Sequence, residues 1–153
     1  MTGLLAIGNG VLQVLVAFIS TIAFAVIFHA PKKELFYTGL TGGAGWLVYL
    51  LAQGLGSGTV AASFLATLAL AWLSRVFSFA RRAPVTVFLI CGIFPLVPGA
   101  GIYYTGYNFF MGNDAMALEK GLETIKIAVA IALGTGIVQS LPPFLFHRPN
   151  KKR

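Results

Sequence analysis

Long apolar runs make up most of this chain, and the short hinges between them collect nearly all of its charge. An uncharged helical segment of about 20 residues matches the hydrocarbon thickness of a bilayer. Such runs cover residues 4–28, 35–53, 84–110 and, with Arg75 near its end, 59–79; a fifth, 114–141, confines its charge to its first turns. Only 10% of the residues are charged and 58% are hydrophobic, whereas an ordinary soluble domain carries roughly 25% charge. The reading is an all-α integral membrane protein, one domain of five transmembrane helices in the cell membrane. In that setting a net charge of +7 signals topology, and no nucleic-acid partner is expected.

Counting cations tests the helix number. With five crossings, Lys32, Lys33, Arg75, Arg81, Arg82, Arg148, Lys151, Lys152 and Arg153 fall on one side, and Lys120 and Lys126 on the other. The positive side is cytoplasmic, which predicts the amino end outside, the carboxyl end inside and a basic cytoplasmic tail over 147–153. No basic side chain precedes the first run, so it reads as a retained helix and not as a signal peptide.

The fourth run is the unusual one. Residues 83–113 carry no charge, yet Pro95, Pro98, Gly99 and Gly101 interrupt them. Proline removes a backbone donor and clashes with the preceding turn. Freed backbone groups at membrane depth survive only against protein or a water-lined cavity. Spacing leaves two readings open: a kink packed against neighbours, or a break lining a solute path. Pro84 opens the run, and at about 1.5 Å per residue Pro98 lies roughly 20 Å further in. Tyr103, Tyr104, Tyr107 and Asn108 follow, either as an interfacial aromatic belt or as polar lining.

Polar side chains elsewhere recur at helical spacing. Asn9, Gln13 and Ser20 share a face that should look inward or toward a partner. Thr38, Thr41, Gly42, Gly45 and Tyr49 share another, and Gly39 with Gly43 forms a small-xxx-small pair suited to close packing. Thr59, Ser63, Thr67, Ser74 and Ser78 line a third, and Thr135 with Gln139 and Gly136 with Ser140 a fourth. Arg75 either snorkels to the headgroups or points inward to hold an anionic group. Asn113 or Asp114 should cap the last helix, whose first turns carry Glu119, Lys120, Glu123 and Lys126. There Glu123 and Lys126 should pair at i, i+3 on a solvated face. All four acids sit at segment ends, so a proton-coupling carboxylate would belong to a partner.

Cys91 has no second thiol, and the two histidines lie far apart at segment ends. No disulfide, metal site or cofactor is expected. Neither a nucleophile–base pair nor a phosphate-binding glycine loop is present, so an enzyme is not expected.

Three stretches then carry a family resemblance: Ala62-Ser-Phe-Leu-Ala66, Ser74-Arg75, and the Ile93-Phe-Pro-Leu-Val-Pro-Gly99 interruption. Together they resemble the short, carboxyl-terminal-half type membrane subunit of a split threonine/serine exporter, over essentially the whole chain. The resemblance implies a five-helix unit working with a larger membrane subunit that bears the complementary half. It implies export of threonine and serine, or of dicarboxylates such as succinate. The substrate-path candidates are then Pro95, Pro98, Gly99, Gly101, Tyr103, Asn108, Ser63 and Thr67, with Arg75 guiding carboxylates on the cytoplasmic side. A non-transporting scaffold subunit and a homo-oligomeric pore are the alternatives, since small and hydroxylated faces also serve helix packing.

Overall fold

The computed structural model describes residues 2–142, with side chains from Gly8 onward. The elements run α1 (Thr2–Ile27), a 3-10 turn (Lys32–Glu34), α2 (Leu35–Gly54), α3 (Thr59–Arg81), α4 (Val85–Ile93), a second 3-10 turn (Phe94–Leu96), α5 (Gly99–Phe110) and α6 (Asp114–Ser140). No strand occurs among the described residues. The basic residues expected to form a tail over 147–153 lie outside them.

Helices α1, α2, α3 and α6 are each long and apolar enough to cross a membrane. The nine residues of α4 rise only about 14 Å and cannot do so alone. With α5 they make a pair bent by 49°, and counting that pair as one broken span raises the candidate crossings from four to five. The outer surface is apolar, as a bilayer requires: Leu12, Leu15, Val16 and Ile19 of α1 and Ile125, Val129, Leu133 and Ile137 of α6 all stand exposed.

Inside, small residues let the helices approach. Gly39, Gly42 and Gly43 of α2 are buried against α1. A Cβ on Gly42 would collide with the Thr21 hydroxyl, and one on Gly39 would lie 2.8 Å from Phe18 and Ile22. The Thr21, Thr38 and Thr67 hydroxyls each donate to the carbonyl four residues back, at 2.7, 2.9 and 2.7 Å. Helices satisfy buried hydroxyls in this way, so faces that look polar in the sequence pack dry. Thr41 goes further, donating both to the Thr38 carbonyl at 2.7 Å and to the Phe88 carbonyl of α4 at 3.1 Å. Around these contacts Ala66, Leu70, Leu89, Leu96, Ile127 and Ile131 close the core.

Helix α5 stands apart. It packs chiefly against α6, and none of its residues is fully buried. A tight hairpin joins the two: Gly112 takes φ 72°, and the Asn113 amide donates to the Asn108 carbonyl at 2.9 Å. Asn113 takes the N-cap position of α6 as expected, but without the side-chain capping bond. Asp114 in the first turn complements the helix dipole instead.

Candidate functional site: a hollow at the broken span

The interruption is built in two steps. Helix α4 ends at Ile93, where Pro95 enters a 3-10 turn; Val97 is then extended and Pro98 takes φ −77°, ψ 58° before α5 begins. Phe94 fixes this segment by stacking on Phe24 of α1, with ring centroids 4.1 Å apart. Neither the carbonyls of Pro95 and Leu96 nor the amides of Ala100 and Gly101 take a backbone partner among the described residues. Those amides open α5, where the dipole is positive.

These groups form one wall of a hollow of about 720 Å³. Helix α2 contributes Trp46 and Tyr49, and α3 contributes Thr59 and Ser63. Tyr104, Tyr107 and Asn108 come from α5, and Lys120, Glu123 and Thr124 from α6. The hollow occupies the half of the bundle nearest the turns at 55–58 and 111–113. A smaller hollow of about 330 Å³ lies on the other side of Pro95, walled by Gln13 and Ser20 of α1 and by Trp46. Gln13 accepts a long bond from the Trp46 indole, at 3.4 Å.

The sequence candidates divide. Pro95, Pro98, Gly99, Gly101, Asn108 and Ser63 come together around the larger hollow. Thr67 does not reach it, being fully buried with its hydroxyl bonded to the Ser63 carbonyl. Tyr103 also stands outside the lining, 64% exposed on the outer side of α5. Gly101 belongs both to the wall and to the packing, since a Cβ there would meet the Thr124 hydroxyl of α6.

Arg75 does not snorkel to the headgroups. It is buried in the described structure, and one guanidinium nitrogen donates to the carbonyls of Val138, Gln139 and Leu141 at 2.7, 3.3 and 2.7 Å. It thereby caps the carboxyl end of α6, where orphan carbonyls and the negative dipole end favour a cation.

Two acids also differ from expectation. Glu123 pairs with Lys120 at 3.5 Å, not with Lys126, and both partners line the hollow. Spacing permits either pairing, and the packing of α6 beside α5 turns Lys120 and Glu123 to the same side. Glu34 is fully buried at the opposite end of the bundle, although the sequence puts it at a segment end. There Arg81 donates to its carboxylate at 3.0 and 3.4 Å while lying 4.3 Å over the Tyr37 ring. One end thus carries the Glu34–Arg81 pair and the Arg75 cap, while the larger hollow lies toward the other. The Lys120–Glu123 grouping was open to sequence reasoning: two opposite charges one turn apart, following a tyrosine- and asparagine-bearing helix.

A helical bundle with an apolar exterior and membrane-length helices is a multi-pass membrane protein. The chain belongs to the threonine/serine exporter family. The family model described as Threonine/Serine exporter, ThrE, matches residues 13–141. Among curated relatives, a probable threonine/serine exporter of Mycobacterium tuberculosis is 31% identical over 124 residues, covering 80% of this chain and 23% of that protein. An uncharacterized protein of Haemophilus influenzae is 27% identical over 144 residues, covering 89% of this chain and 47% of its own length. The chain therefore spans between about a quarter and about half of the relatives it matches. No solved structure matches it.

Proposed function

We propose that this chain is one half of a secondary exporter for threonine and serine, with the solute passing the break at residues 95–101. The observation that carries this reading is the hollow walled by that break: unpaired backbone groups meet Ser63, Asn108 and the α6 charges across a space large enough for a small solute. Interrupted helices with dipole ends facing a central site are a recurring transporter device.

The chain works with a membrane partner carrying the complementary half, or with a second copy of itself. Its short coverage of the relatives supports this, as does the exposure of Ile102, Tyr103, Phe109 and Phe110 on α5. An odd number of crossings would let a related half insert in the opposite sense, as inverted-repeat transporters do.

Deleting the chain from its host should lower threonine and serine efflux from preloaded cells severalfold, and restoring it should recover the rate. Undiminished efflux would refute the reading. Loss of succinate efflux instead would move the substrate class to dicarboxylates.

The orientation is part of the proposal. The amino end lies outside, the hollow opens toward the outer face, and the end carrying the Glu34–Arg81 pair faces the cytoplasm. Alkaline phosphatase fused after Gly56 should be active, and fused after Arg82 inactive. Activity at the second site would reverse the topology.

A further inference from the structure

Lys120 and Glu123 are the only charged side chains lining the larger hollow among the described residues. Their head groups lie 3.5 Å apart and stay accessible, with side chains 38% and 46% exposed. As an ordinary i, i+3 pair on a solvated helix face they would contribute about 0.3–0.5 kcal/mol and nothing else. Their position argues for more. They share the hollow with the uncommitted amides of Ala100 and Gly101 at the start of α5 and with Asn108.

We propose that Lys120 and Glu123 form a clamp for a zwitterion. The Lys120 ammonium and the Ala100 and Gly101 amides receive the solute carboxylate, and the Glu123 carboxylate receives its α-ammonium. The assignment rests on the hollow being the solute site.

Charge balance decides which solutes fit. The two charges sum to zero, so the empty site is satisfied by its own pair. A zwitterion entering between them exchanges one set of partners for another and leaves no charge unpaired. A solute with net charge cannot do this: a dianion meets one cation and one repelling carboxylate, and a cation lacking a carboxylate leaves Lys120 without a partner. Water screens part of this mismatch at so accessible a pair, and what remains disfavours the wrong ligand. The clamp therefore selects free amino acids over dicarboxylates, a distinction that the broken span alone does not make.

The test is competition against labelled L-threonine transport in membrane vesicles from cells holding the full chain and its native partners. Unlabelled L-threonine, its methyl ester (ammonium only), N-acetyl-L-threonine (carboxylate only) and succinate serve as competitors. In the wild type, threonine should compete roughly tenfold or more better than any of the other three. Glu123→Gln should narrow the gap to N-acetyl-threonine severalfold, and Lys120→Gln the gap to the methyl ester, with the amount of chain in the membrane checked by blot.

Competition by the methyl ester or by N-acetyl-threonine as strong as that by threonine in the wild type would overturn the clamp without any variant. So would variants that accumulate normally and keep the wild-type gaps between threonine and the other competitors, while threonine transport itself continued to support the exporter reading. A wild-type chain giving no threonine transport at all would overturn the exporter reading and the clamp with it.

Discussion

Arg75→Leu is expected to destabilise the folded chain by on the order of 3–5 kcal/mol, because several carbonyls lose a charged donor at once. Three carbonyls at the end of α6 lose a charged donor together, and hydrogen bonds to charged groups are worth roughly 1.5–3 kcal/mol each before losses overlap. The α3–α6 contact depends on this junction, so the midpoint of thermal unfolding in detergent should fall by roughly 10 °C. Arg75→Lys should recover about half of that, since a compact ammonium lacks the planar fork of donors. An unchanged midpoint in Arg75→Leu would show that the cap contributes nothing. A residue guiding substrate from the membrane surface would behave differently, with stability kept and only the apparent KM for solute raised.

Gly101→Val should abolish most export while leaving the chain inserted. The new side chain enters the contact with Thr124, whose hydroxyl is already committed to the Lys120 carbonyl at 2.7 Å. Overpacking of this kind costs about 1–3 kcal/mol, and here the strain falls on the helix that α5 chiefly packs against. Displacing α5 from α6 moves Asn108 and the first-turn amides away from Lys120 and Glu123, so the site should fail before the bundle does. Adding Thr124→Ala opens the space again and should restore a substantial part of the efflux rate. If Gly101→Val exported at the wild-type rate, the α5–α6 contact would have no bearing on the path.

The two expectations differ in how far the sequence anticipates them. The interruption at residues 95–101 is a local property, because Pro95 and Pro98 remove donors and restrict φ whatever surrounds them. The close packing of Gly39 and Gly43 is also legible, since small residues at i, i+4 invite a neighbouring backbone. Which neighbour accepts the invitation is not: Gly42 is filled by Thr21, and Gly101 by Thr124. Arg75 was legible as a buried or snorkelling cation, but its carbonyl partners lie 63 to 66 residues further along. Thr67 has the spacing of a path residue, and the bond to its own helix removes its hydroxyl from that role.

Charge misled the reading in the first turns of α6, for an instructive reason. Lys120 and Glu123 sit near a helix start, where charge normally means solvent, and they are indeed accessible. What they face is set by the Gly112 hairpin, which folds α5 back along α6 and puts the broken span opposite them. Glu34 shows the converse, an acid at a segment end that Arg81 and Tyr37 enclose from a distant helix.

By itself the sequence determined the membrane setting, the helices, the place of the break and the family, because apolar length, proline and motif are properties of contiguous residues. Only the tertiary structure decided that the break walls a hollow, that Arg75 ends α6, and that Lys120 and Glu123 look into that hollow. Those outcomes depend on which helix faces meet, and each is made by contacts between residues far apart in the chain.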